Sequence, residues 1–570
     1  MRYLALACDY DGTLAHDGRV SEETLAALER VLNSGRKLIL VTGRELEDLQ
    51  QIFSRLDLFE RVVAENGALL YLPATREERL LGERPPEEFV KVLQRRGVGP
   101  ISVGRVIVAT WHPHENTVLE VIRDLGLELQ VIFNKGAVMV LPSGVNKATG
   151  LSAALSELGL SPHNVVGVGD AENDHAFLSL CECAVAVANA LPMLKERADL
   201  VTRADHGGGV TELIDQLLAS DLSELEPKLA RYDILLGTRE DGQEVRIKPY
   251  GVNLLLAGSS QGGKTRLATG LIERLTEGRY QLCIIDPEGD YSTLEGAVVM
   301  GNADRAPSED EVLELLEKPE QNVVVNLLGL ALEHRPSFFV GLLPRLQELR
   351  ARTGHPHWIV IDETHHLLPP SRDPASLTLA QDTYGMMMIT LLPDHIAPAV
   401  LSIVDLLIAI GEAPERTIRA FCEAVGQRPP ALTPTTLETG EALAWWRRAG
   451  AEPVRIRSVP SRGEHRRHHR KYAEGELAPD ISFYFRGPEG KLNLRAQNLI
   501  LFLQLAEGVD DETWLYHLRR GEYSDWFRQV IKDEGLAAEA ARIEQMTDAS
   551  AEESRQLIRR AIEQRYTGPS

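Results

Sequence analysis

Two carboxylates stand two positions apart in Asp9-Tyr10-Asp11-Gly12-Thr13, directly after the apolar run Leu4 to Cys8. That spacing suits phosphoryl transfer. Asp9 can attack phosphorus and carry the group as an acyl phosphate. Asp11 can protonate the leaving group and later take a proton from water. Thr42, in Thr42-Gly43-Arg44, offers a hydroxyl to a phosphate oxygen, and Lys147 offers a cation to the transferring group. Asp170 and Asp174, in Gly169-Asp170-Ala171-Glu172-Asn173-Asp174, are hard oxygen donors suited to Mg²⁺ together with Asp9 and Asp11.

A second set lies further along. Gly258, Gly263, Lys264 and Thr265 fit the phosphate-loop pattern, between the apolar run 252–257 and a helical run through Leu267, Leu271 and Ile272. Glycines let backbone N–H groups curl around phosphate oxygens, and the following helix points its positive end at the anion. Lys264 would reach the outer phosphates of ATP, and Thr265 would ligate Mg²⁺. The run 358–361 ends in Asp362-Glu363. Asp362 can hold the Mg²⁺, and Glu363 can polarise an attacking water as a catalytic group.

The groups of the first set fall mostly at the carboxyl ends of expected strands, 4–8, 37–41 and 164–168, where open α/β sheets place ligands. In the second region, strands are expected at 252–257, 281–285, 323–327, 358–361 and 386–392, with an amphipathic helix at 338–351. Two further strands, 232–236 and 244–247, flank the turn Glu240-Asp241-Gly242.

Asp9, Asp11, Thr42, Lys147, Asp170 and Asp174, in that order, resemble the four motifs of the haloacid dehalogenase (HAD) superfamily of phosphatases over about the first 215 residues. Aspartate at the acid/base position implies a phosphohydrolase that uses Mg²⁺. Glu65-Asn66-Gly67-Ala68 resembles the Cof-type branch, which includes sugar phosphatases and carries a small α/β cap. The interval 85–140 supplies that cap, with strands at 106–110 and 129–133 and a helix at 116–125. A cap contacts the non-phosphate part of the substrate. His112, His114 and Asn134 fall where they could line it, although a surface or structural role is the simpler reading.

The second region is similar to the HerA/FtsK-type motor ATPases, ring-forming relatives of RecA. The resemblance rests on the phosphate loop, Asp286 to Tyr291, and Asp362 to His365. The strands before the loop look like that family's small N-terminal barrel. The family's Thr-Gln strand end is here Thr390 without glutamine, which puts rapid DNA-coupled turnover in doubt. Arg416 and Arg419 are candidates for an arginine acting across a subunit boundary, with surface ion pairs the simpler reading. The resemblance implies ATP binding and a closed homo-oligomeric ring, most simply a hexamer.

A chain of 570 residues is too long for one core. The expected architecture is α/β. It comprises an HAD Rossmann-like domain over 1–220 (cap about 85–140), a RecA-like P-loop ATPase domain over 221–453, and a basic linker with a helical C-terminal domain over 454–570. The stretch 221–228 is acidic and linker-like. Residues 455–471 form a basic run, with Arg466, Arg467, Arg470 and Lys471 around three histidines whose irregular spacing argues against zinc. Trp514, Tyr516, Trp526 and Phe527 are expected in a helical core, and Ser550 with Glu553 reads as a capping box.

The net charge of −23 argues against a broadly basic nucleic-acid surface. No apolar run is long enough to span a bilayer. Acidic Asp9 and Asp11 follow the first apolar run at once, unlike a secretory signal. The five cysteines lack metal spacing and read as reduced thiols of a cytoplasmic protein. Three functions remain open. One is a phosphatase coupled to an ATP-driven domain and acting on nucleotides or nucleic-acid ends, as in repair or defence. Another is a sugar or small-molecule phosphatase regulated by nucleotide sensing. The last is an ATP-binding scaffold with little turnover.

Overall fold

Short Val-, Leu- and Ile-rich runs form the strands, and the glycines and carboxylates that follow end them. The computed structural model describes residues 1–258, 263–370, 384–432, 434–450, 452–459, 461, 477, 481–531, 533–546 and 549–566. The first region is built on β1 (Ala5–Cys8), β2 (Lys37–Val41), β3 (Arg61–Ala64), β4 (Leu69–Leu72) and β5 (Glu77–Leu80). The cap follows, with β6 (Ser102–Val103), β7 (Val108–Trp111), β8 (Leu129–Asn134) and β9 (Ala137–Pro142). The chain then returns through β10 (Val165–Gly169), β11 (Cys183–Ala186) and β12 (Leu200–Val201).

The main sheet has eight strands in the order β12-β11-β10-β1-β2-β3-β4-β5, parallel from β12 to β3. Its central strands are buried on both faces, which explains their unbroken apolar character. The cap is a four-stranded antiparallel sheet, β6-β7-β9-β8, packed on the helices Glu87–Arg95 and Glu115–Asp124. Its other face, through Ala137, Met139 and Leu141, packs toward the main domain. The expected cap elements appear within a few residues of their positions.

A second sheet of eleven strands comprises β13 (Ile234–Thr238), β14 (Glu244–Ile247), β15 (Leu254–Gly258), β16 (Leu282–Asp286), β17 (Ala297–Met300), β18 (Asn322–Asn326), β19 (Trp358–Ile361), β20 (Met386–Thr390), β21 (Leu406–Ile410), β22 (Glu441–Trp446) and β23 (Val454–Ser458). The run β21-β15-β20-β19-β16-β18-β17 is parallel, and β22, β23, β13 and β14 extend it antiparallel. Hydrophobic cores cover both faces.

Three boundaries differ from expectation. The acidic stretch is the 3-10 helix Ser223–Lys228, and its Leu225 is buried in the first core with Leu222 and Leu229. Apolar spacing there outweighs the surface charge that suggested a linker. The hairpin β13–β14 is no separate barrel. It joins the second sheet through β23, where Gly237 lies opposite Ser458 and a Cβ would come within 2.4 Å of Arg457 O. Strand β23 itself runs past the boundary expected at 453.

The last region adds a short hairpin, β24 (Phe483–Phe485) with β25 (Leu494–Ala496), to helices 499–508, 511–519, 522–526, 534–544 and 551–566. Trp514, Trp526 and Phe527 are buried in its core, while Tyr516 is half-buried. The Ser550–Glu553 capping box forms, with each residue bonding the other's backbone N–H. Arg466, Arg467, Arg470 and Lys471 lie outside the described residues. Among the described residues, no helix is long and apolar enough to cross a membrane.

The two large sheets meet at the amino ends of their strands. His163, just before β10, stacks on Tyr280 with ring centroids 3.8 Å apart, and its Nε2 lies 2.7 Å from Gly278 O. Its Nδ1 faces Glu182, which pairs with Arg2. His355 Nε2 lies 3.0 Å from Gly159 O. Gly354 allows this approach, because a Cβ there would come within 2.3 Å of Asn164.

Candidate active site

Strand β1 delivers Asp9, which is buried, and the chain then turns sharply at Gly12, whose φ is +87°. A Cβ at Gly12 would lie 2.4 Å from Asp170 Oδ2, so only glycine lets this turn sit against the β10 loop. Lys147 opens the helix Lys147–Leu158 behind an Asn146 capping box, which fixes its backbone. Its ammonium donates to Asp9 Oδ1 and Asp174 Oδ1, both at 2.6 Å, in full burial. Asp174 Oδ2 accepts the backbone N–H groups of Asp170 and Ala171 at 2.8 and 2.9 Å. Thr13 donates its hydroxyl to Asp170 Oδ1 at 3.2 Å.

Oxygens of Asp9, Asp170 and Asp174 lie within 4.8 Å of one another, and all three residues are buried. Burial, then the neighbouring carboxylates of Asp174 and Asp170, hold the Asp9 carboxyl well above the ordinary range against the pull of Lys147. Burial also raises Asp170. A buried cluster of hard oxygens with such electrostatics fits a divalent cation such as Mg²⁺. Asp174 is the most firmly committed of the three, with Oδ1 on buried Lys147 and Oδ2 on two backbone N–H groups, whereas Asp170 is held by the Thr13 hydroxyl and the half-exposed Lys135.

The structure places Asp11 differently from the other expected ligands. Its carboxylate turns away from the cluster into a two-pronged ion pair with Arg44, at 2.6 and 2.7 Å. Only its carbonyl oxygen faces the cluster, 3.3 Å from Lys135 Nζ. Arg44 also binds Asp48. Thr42 is buried at the end of β2, and its hydroxyl accepts from Arg44 N at 3.1 Å, so its own hydrogen can point into the site.

Several groups here escaped the sequence reading. Arg44 was visible only as part of a motif, although it holds the acid/base candidate. Glu65, at φ +51°, accepts the N–H groups of Arg105, Val106 and Ile107 at 2.7, 2.7 and 2.9 Å, clamping the cap's entry to the main domain. Asn173 donates to Asn66 at 2.9 Å. Lys135, on the β8–β9 turn, reaches Asp170 Oδ2 at 2.7 Å. The signal for it was Asn134-Lys135-Gly136 between two apolar runs, a hairpin-turn signature with a lysine at its tip. On the cap, His112 is exposed and pairs with Glu115, and His114 is half-buried with its Nε2 3.1 Å from Gly99 O.

The second set gathers at the carboxyl edge of the second sheet. Gly258 ends β15 with φ +148°, Gly263 has φ +84°, and the helix Lys264–Glu277 follows. Lys264 is buried and donates to Gly258 O at 2.9 Å, and Thr265 is exposed in the first turn. Residues 259–262 of the loop lie outside the described residues. Asp362 and Glu363 follow β19. Burial, then Asp286, Glu363 and Glu288, raises Asp362 well above the ordinary carboxylate range. Asp286 has a local task, since its oxygens accept the N–H groups of Asp290 and Tyr291. Thr390 meets His365 Nδ1 at 3.1 Å, and His365 lies 3.4 Å from Glu363.

Fold and site define the class of the first region. The sequence profile of the haloacid dehalogenase-like hydrolases matches residues 6–98 and 106–214. The chain is 34% identical over 223 residues to a phosphoglycolate phosphatase of Methanothermobacter thermautotrophicus, covering 38% of this chain and 98% of the relative. It is 30% identical over 227 residues to phosphoglycolate phosphatase 2 of Saccharolobus solfataricus, covering 39% of this chain and 95% of that protein. Among solved structures, a haloacid dehalogenase-like hydrolase from Bacteroides thetaiotaomicron aligns at 18% identity and TM-score 0.34, over 38% of this chain and 99% of that one. The chain belongs, through its first region, to the haloacid dehalogenase-like hydrolases.

Proposed function

We propose that the first region is a Mg²⁺-dependent phosphomonoester hydrolase working through an aspartyl phosphate on Asp9. The observation that carries this reading is Lys147 held between Asp9 and Asp174, with Asp170 beside them. Asp9 attacks phosphorus, and the ester oxygen leaves with a proton from Asp11. Asp11 then takes a proton from water, whose oxygen attacks the acyl phosphate and frees Asp9 and inorganic phosphate. Asp11 must leave its pair with Arg44 to make these transfers, and Thr42 and Lys147 hold phosphoryl oxygens. A bound Mg²⁺, on Asp9 and Asp170, supplies positive charge to the transferring group.

The named relatives make 2-phosphoglycolate the first substrate to test, ahead of sugar phosphates. The net charge of −23 favours such small esters over nucleic-acid ends. Release of phosphate from 2-phosphoglycolate with Mg²⁺, lost on chelation and in Asp9→Asn, tests the reading. Release that persists in Asp9→Asn overturns it.

For the second region we propose ATP binding of the HerA/FtsK kind. Its support is the helix starting at Lys264 on the same sheet edge as Asp362 and Glu363. Lys264 and Thr265 would take the phosphates and Mg²⁺, and Glu363 the water. Thr390 in place of a Thr-Gln end favours slow turnover and a sensing role. Assembly into a hexameric ring belongs to the same proposal. Light scattering with ATP tests it, and a strict monomer at micromolar concentration overturns the ring.

A further inference from the structure

The site's cations differ in how firmly they are held. Lys147 is buried between two carboxylates, and Arg44 is spent on Asp11 and Asp48. Lys135 is the loose one. It sits on the cap and not on the main domain, its side chain is 47% exposed, and its one described ion pair is with Asp170. The β8–β9 hairpin closes through Lys135 and Gly136, with φ of +47° and +89°, a two-residue turn whose geometry aims the lysine at the main domain.

Beside it, Asn134 Oδ1 is buried with no hydrogen-bond partner among the described residues. An orphaned buried amide oxygen next to a weakly committed ammonium marks a place where a ligand's polar group belongs. The apolar Met139 of the same cap sheet approaches Gly43 of the main domain, its Cε 3.2 Å from the position a Cβ there would take.

A divalent cation on Asp170 would take over the charge that now holds Lys135, and two cations repel. The ammonium then needs another anion within a few ångströms of the phosphoryl group. We propose that Lys135 is the specificity-determining residue of this hydrolase, binding a carboxylate that the substrate carries close to its phosphoester oxygen. The substrate class is thus short phosphomonoesters with a second anionic group, and larger neutral sugar phosphates are disfavoured.

The inference rests on the phosphatase reading, and one experiment separates the two. The full chain is assayed with Mg²⁺ on 2-phosphoglycolate and on 2-hydroxyethyl phosphate, which differ in the carboxylate alone. Lys135→Met keeps the length of the side chain and removes its charge. A charge-assisted hydrogen bond of this kind predicts a fall of about ten-fold or more in the preference for 2-phosphoglycolate, carried by KM. Lys135→Arg is expected to restore most of it. An equal change on both esters, or no change in preference, overturns the assignment of Lys135 while leaving the phosphatase reading standing. Activity on both esters that is indifferent to Asp9→Asn overturns the phosphatase reading itself. Circular dichroism of each variant checks that the cap still folds.

Discussion

The two large sheets present the same device in different states of completion. Each places carboxylates at the carboxyl ends of central parallel strands and a lysine as the first residue of a helix. In the first, Lys147 is drawn fully into the carboxylates, with bonds of 2.6 Å to Asp9 and Asp174. In the second, Lys264 bonds its own loop at Gly258 O, and Asp362 faces the other acids Asp286, Glu363 and Glu288. The first site is organised by its own side chains. The second sets the buried Asp362 against three neighbouring acids, a grouping that a divalent cation would relieve.

The widest gap should open with Asp9→Asn. Phosphatase activity should fall by about a thousand-fold or more, since the covalent route is lost. ATP affinity of the second region, read by calorimetry, should stay as in wild type. An equal loss in both would erase the contrast.

Lys147→Met should be the most destabilising change in the first site. It leaves Asp9 and Asp174 buried and facing each other, at a cost of about 3–5 kcal/mol. Denaturant unfolding should show this loss for Lys147→Met and less for the corresponding Lys264→Met, whose ammonium donates to a neutral carbonyl, Gly258 O. Similar losses would mean that the second site is as self-organised as the first.

Lys264→Ala should weaken ATP·Mg binding about ten- to a hundred-fold, the size of a lost charged hydrogen bond. Hydrolysis of 2-phosphoglycolate should be untouched. Unchanged ATP affinity would remove the second site from consideration.

The smallest effect is expected where the regions meet. His357 is buried, its Nδ1 accepts from Gln281 N at 2.8 Å, and burial, then His163 and His355, holds its pKa well below 6.5. The unfolded chain therefore takes a proton that the folded chain refuses. Stability should fall as pH drops below about 6.5, by up to about 1.4 kcal/mol per pH unit. His357→Asn should flatten that dependence in melting curves between pH 7 and 5. A slope equal to wild type would place the titration elsewhere.

Much of this was legible in the sequence because the chemistry sits at strand ends. Asp9, Thr42 and Asp170 each close an apolar run, so the run locates the strand and the polar residue locates the site. Lys147 was legible through its motif, with Asn146 as the cap that orients it. What stayed hidden depended on the third dimension. The link between Arg44 and Asp11 spans 33 residues, and that between Lys135 and Asp170 spans 35. Neither leaves a periodic trace. The metal role expected for the Asp11 carboxylate ran into the same limit, because a neighbouring arginine decides where that side chain points. Leu222 and Leu225 were obscured by the acids around them, and β23 by an expected boundary drawn at 453.

The seam between the sheets has a consequence for traffic within the molecule. His163 stands at the start of β10 and Asp170 at its end, about 16 Å further on at the usual rise of a strand. On the other side, Gly278 caps the helix that Lys264 begins, about 21 Å of rod at the usual rise of a helix. The two reactive edges therefore point to opposite poles, with rod, contact and strand set end to end between them. A displacement at one edge has a mechanical path to the other through this seam, where His163 meets a helix-end carbonyl at 2.7 Å and His355 meets Gly159 O at 3.0 Å.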